Sequence, residues 1–498
     1  MKNKSFIKEI NFNKYVSVYK KHLTPFPVLL VVPAYSIFFS KHLGFKLKKL
    51  FIKNDNGMWH AYVELDNWNK SHNIMFKLYE KDPKIMDKYL SKFKIEAKKY
   101  LKFTNTLTTT NLSKLSDKEL LKLYQRYSNG YVKSFVYGEC PAETLRLLLE
   151  KELKPKLMQI VKNKNELNKI FSMLLIPSTP SFTAIEEIEL LKIAILAKKK
   201  GKISNKLKTH LHNYKWIPVD YNYEPWKLKD IISRLKEIMK DKFSPEKKIT
   251  DTNNYMKSIK TKQKMIISKY KIPKNIVKDC ITAQKCMILM DMKKEVYTKA
   301  HYHVQFLIKE ISKRLGLTMT QTNYLTPDEI KLVLNGTETS KNNFRKKYSK
   351  KLINSRYKQS IYCGDGIKVD FLNKKEEKEV RKHLDKKLEQ KKELNGICGN
   401  PGKVKAKARI ILNTKEFKKM KKGEVLITPY TTPEFLPVMK KASAIVTDMG
   451  GVTSHSSIVA RELNIPCVVG TKHATKLIKD NDLLEINAIE GKVKIKKR

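Results

Sequence analysis

Glycine is scarce in this chain: 17 among 498 residues, only five of them between residues 139 and 395. So long a stretch, filled with Leu, Ile and Lys at helical spacing, predicts a mainly α-helical region and leaves no room for a glycine-rich phosphate loop. No G-x-x-x-x-G-K-[ST] sequence occurs anywhere in the chain. Arginine is scarce relative to the charge. Lys and Arg total 103 against 49 Asp and Glu, a formal net charge of +54, yet ten of the 103 are Arg. Arg is the side chain suited to bidentate reading of phosphates and bases. Its near absence, with Lys spread evenly beside abundant Asn and Ile, fits the codon bias of an A/T-rich genome better than a nucleic-acid-binding surface. The positive field would still draw in phosphorylated ligands.

Cysteine is sparse too. Cys140, Cys280, Cys286, Cys363, Cys398 and Cys467 lie far apart with no CxxC pair, which excludes a disulfide framework or a zinc site and points to a reduced, cytoplasmic protein. His210 and His212, like His301 and His303, are two residues apart and face opposite sides of a helix, so no metal site is expected. Long hydrophobic runs are missing as well. The apolar stretch from Pro25 to Phe39 carries three prolines and is shorter than a bilayer-spanning helix requires. It lies too far along the chain, without a small-residue cleavage site, to be a signal peptide, so it reads as buried core and no membrane role is expected.

At this length the chain accommodates two to four domains. Leu145, Leu148, Leu149 and Leu153 form one helical stripe, and Ile185, Ile188, Leu191 and Ile195 another, after a start at Ser181-Phe182-Thr183. Breaks fall at Pro177-Ser178-Thr179-Pro180, Pro218 and Ser244-Pro245. Thr326-Pro327-Asp328-Glu329 predicts a helix start with Thr326 as cap. Asn54-Asp55-Asn56-Gly57 between two apolar runs predicts a hairpin, and residues 361–371 a second strand pair. The segment Lys374–Lys392 reads as an exposed charged helix. Eight of the 17 Gly fall from Gly396 onward, which marks a change of architecture. The expectation is a multidomain α+β protein: a mixed, mostly helical region over 1–130, a helical region over 131–373, a charged helical linker over 374–395, and a final domain over 396–498.

The most informative segment runs from Val446 to Leu463, VTDMGGVTSHSSIVAREL. It predicts a short buried strand, a turn made by Gly450 and Gly451, and a helix with His455 at its mouth. Adjacent glycines permit backbone conformations that other residues resist and leave room for a ligand to approach. Thr453 or Ser454 can cap the helix, whose positive end suits an anion such as phosphate. A histidine held there can act as a nucleophile and carry a covalent group. Arg461, six residues on, either supports the phosphate or pairs with Asp448 or Glu462; both remain open.

This segment resembles the phosphohistidine segment of the phosphoenolpyruvate-utilising enzymes, which include pyruvate phosphate dikinase, phosphoenolpyruvate synthase and rifampin phosphotransferase. The likeness takes in Gly399-Asn400-Pro401-Gly402, Gly423-Glu424-Val425-Leu426-Ile427, Thr431-Thr432-Pro433-Glu434, Ile465 to Thr471 and Gly491-Lys492-Val493. It implies a C-terminal swivelling β/β/α domain, with His455 phosphorylated at one active site and discharged at another. Gly450, Gly451, Thr453, Ser454 and Arg461 would support the phosphate. Ser456 departs from the pattern, standing where alanine is usual. Residues 207–216 and 223–226, with Leu325–Ile330, resemble the helical region that binds the acceptor in rifampin-phosphotransferase-like proteins. His210, Tyr214, Trp216 and Trp226 would then line a pocket, or else form core.

Such relatives also carry an ATP-grasp domain or a phosphoenolpyruvate-binding barrel. No barrel is expected after Arg498, and the glycine-poor N-terminal part leaves no place for a nucleotide site. The resemblance therefore implies a phosphotransferase that needs a partner subunit of ATP-grasp or phosphoenolpyruvate-binding type. That partner would hold Mg and ATP (or phosphoenolpyruvate), and a small molecule would accept the phosphoryl group. No metal or cofactor is expected on this chain. Two alternatives stay open: a catalytically incomplete paralogue acting as a binding or regulatory protein, and a helical part that binds nucleic acid.

Overall fold

The computed structural model describes residues 10–22, 25–55, 57–200, 203–221, 224–240, 244–337, 342, 344, 355–356, 358–364, 369–384, 393–432, 435–451 and 454–497. The chain forms two compact units. The first comprises Met1–Glu150, Thr179–Met256 and Lys285–Asp385; the second comprises Lys151–Ser178, Lys257–Gln284 and Lys386–Arg498.

The first unit is helical around one antiparallel sheet. Its strands are β1 (Tyr15–His22), β2 (Leu50–Asp55), β3 (Met58–Glu64), β4 (Gln359–Gly364) and β5 (Val369–Phe371), in the order β1-β3-β2-β4-β5. The expected hairpin is the β2–β3 pair, with the Asn54 Oδ1 accepting from the Gly57 N–H at 3.0 Å; Asn56 lies outside the described residues. The second expected strand pair is β4–β5, and residues 365–368 lie outside the described residues. Ile52 pairs with Tyr362, so the two hairpins share one sheet although some 300 positions separate them. The apolar run forms helix Pro25–His42, in which Leu29, Leu30, Val32, Ala34, Phe38 and Phe39 are buried. Among the described residues no helix is long and apolar enough to cross a membrane.

One expectation needs correcting. The charged segment that read as an exposed linker over 374–395 begins as helix Lys374–Leu384, and this helix lies on the five-stranded sheet. Val380 is fully buried against Phe12, Phe51, Tyr62 and Ile361, and Arg381 reaches Asp55 at 2.8 Å. Two apolar residues, Val380 and Leu384, among so many charges are a weak signal, yet they anchor the helix. Residues 385–392 lie outside the described residues, and Glu393–Asn395 already belong to a strand of the second unit.

The second unit is built on an eight-stranded sheet: β6 (Glu393–Asn395), β7 (Ile397–Asn400), β8 (Lys403–Ile410), β9 (Val425–Thr428), β10 (Ala444–Thr447), β11 (Cys467–Val469), β12 (Leu483–Asn487) and β13 (Lys492–Lys497). The order is β6-β13-β12-β8-β9-β10-β11-β7, with β8, β9, β10 and β11 parallel to one another. All eleven residues of β9, β10 and β11 are buried, as parallel strands covered on both faces must be. Successive side chains feed opposite cores. Val425, Ile427, Ala444, Val446 and Val468 pack with Ala474, Leu477 and the inner faces of β12 and β13. Leu426, Ile445, Cys467 and Val469 pack with Phe435, Met439, Val459 and Ala460. Each such side chain contributes about 1.5–3 kcal/mol by leaving water. The helical pieces of this unit join its β-domain at Asn168, whose side-chain amide donates to the Ile489 carbonyl at 3.3 Å.

Candidate phosphohistidine site

Parallel strands β9, β10 and β11 end side by side, so the loops that follow them gather at one edge. That edge is where open α/β sheets bind ligands. The loop after β9 supplies Thr431, the loop after β10 supplies Gly450 to His455, and the loop after β11 supplies Gly470 to His473.

His455 opens the helix His455–Glu462, and Ser454 is its cap, with its Oγ accepting from the Ser457 N–H at 3.4 Å. Gly450 has φ +114°, and a Cβ there would sit 2.8 Å from the Ser454 Oγ. Glycine is required at 450 by both conformation and space. Gly451 contributes its carbonyl, which accepts from the Ser454 N–H at 3.0 Å and the Ser457 Oγ at 2.8 Å. These bonds pull the turn onto the helix start. Gly470, with φ +72°, comes close enough that a Cβ would lie 2.9 Å from the Gly450 carbonyl. The β11 loop is tied down by Thr471 N–H to the Thr447 carbonyl at 3.0 Å and Lys472 N–H to the Asp448 carbonyl at 2.8 Å. The buried Asp448 carboxylate accepts from both the backbone N–H and the hydroxyl of Thr475.

The imidazole itself is half-buried, and its Nδ1 lies 2.7 Å from the Thr431 Oγ1. The same hydroxyl lies 2.9 Å from the Ser456 Oγ. Thr431 is 6% exposed and Ser456 2%, so neither hydroxyl exchanges freely with water. The uncharged hydroxyl holds the ring in place through Nδ1, as donor or as acceptor. The helix start adds the positive end of its dipole, worth about 0.3–1 kcal/mol for a nearby anion.

Of the expected site residues, Gly450, Gly451, Ser454 and His455 come together, and Thr453 lies outside the described residues. Arg461 donates its Nε to the Ser457 carbonyl at 2.9 Å, one turn back on its own helix. Two residues escaped sequence reasoning as site residues: Thr431, quoted only as part of a likeness, and Ser456, noted only as a departure. The one available signal was that two threonines follow a buried strand after Pro429 and Tyr430.

The aromatic positions of the helical region belong to packed interior. Phe182, Trp216 and Ile217 form a core with Tyr214, Trp226 and Tyr302. His210 is 2% exposed, and its Nε2 lies 2.8 Å from the Glu186 Oε1. Arg234 clasps the same carboxylate at 2.7 and 2.8 Å and lies over the Trp226 ring. Burial works against the charge on Glu186, but His210 and Arg234 hold its carboxyl below the usual range. Among the described residues, no group of three or more His, Cys, Asp or Glu side chains is placed to hold a metal ion.

Residues 420–491 match the family model of the phosphoenolpyruvate-utilising enzyme, mobile domain. The chain is similar to the probable phosphoenolpyruvate synthase of Archaeoglobus fulgidus, 43% identical over 118 residues that cover 24% of this chain and 16% of that protein. It is 45% identical to the phosphoenolpyruvate synthase of Aeropyrum pernix over 122 residues, 24% of this chain and 15% of the relative. With that of Pyrococcus furiosus the identity is 46% over 100 residues, 20% of this chain and 12% of the relative. The chain thus spans less than a fifth of the length of these relatives. By sequence, residues 420–491 of the C-terminal part thus match the mobile domain of the phosphoenolpyruvate-utilising enzymes.

Proposed function

We propose that this protein is a phosphotransferase whose His455 carries a phosphoryl group between two sites. The observation that carries the reading is the 2.7 Å contact between Thr431 Oγ1 and His455 Nδ1 at the edge where three parallel strands end. With Nδ1 protonated and donating to Thr431, the ring's nucleophilic lone pair is on Nε2. That lone pair attacks the phosphorus of a phosphate donor. The N–P bond forms as the bond from phosphorus to the leaving oxygen breaks, and the leaving oxygen keeps the electron pair. Nδ1 retains its proton, and the Thr431 oxygen stabilises the positive charge that develops on the ring. In the second transfer an acceptor oxygen attacks phosphorus and gives its own proton to water, and the N–P electron pair returns to Nε2. Splitting one displacement into two easier steps is the advantage of a covalent carrier, and positioning with charge stabilisation supplies most of the acceleration.

The donor site we assign to a separate subunit of ATP-grasp or phosphoenolpyruvate-binding type. Mg with ATP, or phosphoenolpyruvate, would bind there. Movement of the mobile domain between donor and a small-molecule acceptor would then limit turnover. Incubation with phosphate-labelled ATP or phosphoenolpyruvate, with and without lysate from the source cells, tests the reading. Acid-labile, base-stable label is expected on the wild-type chain and none on His455→Ala; label that persists in the variant overturns the assignment.

A further inference from the structure

Thr431 has a single proton to give and stands between two partners. Its Oγ1 is 2.7 Å from His455 Nδ1 on one side and 2.9 Å from the Ser456 Oγ on the other. If Thr431 donates to the ring, Nδ1 is the bare nitrogen and the proton sits on Nε2, where it blocks nucleophilic attack. If Thr431 donates to Ser456, its lone pair receives the Nδ1 proton and Nε2 carries the lone pair. The ring cannot make this choice alone, because either tautomer satisfies Nδ1.

We infer that Ser456 is a positioning residue for His455: it takes the Thr431 proton and so fixes the imidazole as the Nδ1–H tautomer. Three features support this. The Ser456 Oγ is buried, so its acceptor capacity is not diluted by water. It sits on the first turn of the helix that also holds His455, so ring and acceptor move together. Thr431 comes from a different loop, after β9, and the hydroxyl pair locks that loop to the helix start. Chains of hydrogen bonds reinforce one another when all point the same way; of the two possible directions only Nδ1–H to Thr431 to Ser456 leaves Nε2 bare, as the phosphotransferase reading requires. The inference deepens the phosphotransferase reading, because it names what prepares the nucleophile.

The test needs no partner subunit. The full chain, labelled with 15N-histidine, is compared with Ser456→Ala by NMR for the His455 tautomer. The same samples are treated with phosphoramidate, and the rate of His455 phosphorylation is followed by 31P NMR. The wild type is expected to show Nδ1 protonated. In Ser456→Ala both tautomers should appear, their ratio shifted about five- to tenfold by the loss of one net hydrogen bond, and the rate should fall about twofold as the Nδ1–H share drops toward half. Ser456→Thr, which returns a hydroxyl, should recover both. Should Ser456→Ala fail to fold, Ser456→Cys carries the same test, since a thiol is a weak acceptor of similar size. An unchanged tautomer and rate in a folded variant overturns the inference. If the tautomer shifts as described but no label reaches His455 from ATP or phosphoenolpyruvate in the presence of lysate, the inference stands and the phosphotransferase reading falls.

Discussion

His210 in one unit and His455 in the other each have an oxygen partner within hydrogen-bond reach, and the contrast between them separates structural from chemical use of the same side chain. His210 has a carboxylate on Nε2, is 2% exposed, and shares that carboxylate with Arg234. Its other nitrogen is buried without a hydrogen-bond partner. His455 has a neutral hydroxyl on Nδ1 and stands half-buried at a glycine turn. The carboxylate ties His210 into a buried polar cluster, whereas the hydroxyl orients His455 at a half-exposed turn. Charge of the partner and access to the ring therefore say more than the histidine itself.

The contrast can be broken most sharply at Glu186. Glu186→Ala leaves Arg234 and His210 without their carboxylate and should cost about 3–5 kcal/mol in a denaturant titration. His455 labelling in molecules that remain folded should be unchanged. At the other histidine, Gly450→Ala meets both a positive φ and the Ser454 side chain. It should cost about 1–3 kcal/mol and abolish labelling, as followed by thermal melting and phosphate transfer. Thr431→Val reverses the pattern seen for Glu186. Its stability should fall by only about 1 kcal/mol, while labelling slows about tenfold to a hundredfold, the cost of a misplaced reacting group. If Thr431→Val proved as destabilising as Glu186→Ala, the distinction between the two histidines would not hold.

A different kind of effect concerns pH dependence. Burial, with Lys299 and Lys215 nearby, pushes the His303 imidazole down to about 4. The unfolded chain binds this proton first, near the ordinary histidine value of about 6.5. The folded protein should therefore lose stability as pH falls from about 6.5 to about 4, and the loss should level off below that. Denaturation midpoints across this range test it, and His303→Gln, which can still bond Thr104, should flatten the profile.

What the sequence revealed was local. The capping box at Thr326 and Glu329, the β2–β3 hairpin and the Ser454 cap depend on residues within a few positions of each other, and local spacing encodes them. The mobile domain was legible because its glycine turn, strand and helix follow in one run. Contacts between distant positions were not legible. The pairing of Ile52 with Tyr362 joins two hairpins that each read as isolated. The burial of Val380 turns a charged helix into a docked one. Helices from 151–178 and 257–284 group with the C-terminal strands, and no periodicity in either segment signals it. At the site, Thr431 meets His455 from 24 positions away, through strand order alone.

The most direct measurement is the position of the phosphoryl group on the labelled chain, by tandem mass spectrometry and 31P NMR of the isolated phosphoprotein. The account predicts one phosphorylated residue, His455, with phosphorus on Nε2. Phosphorus on Nδ1, or on any other side chain, would contradict it.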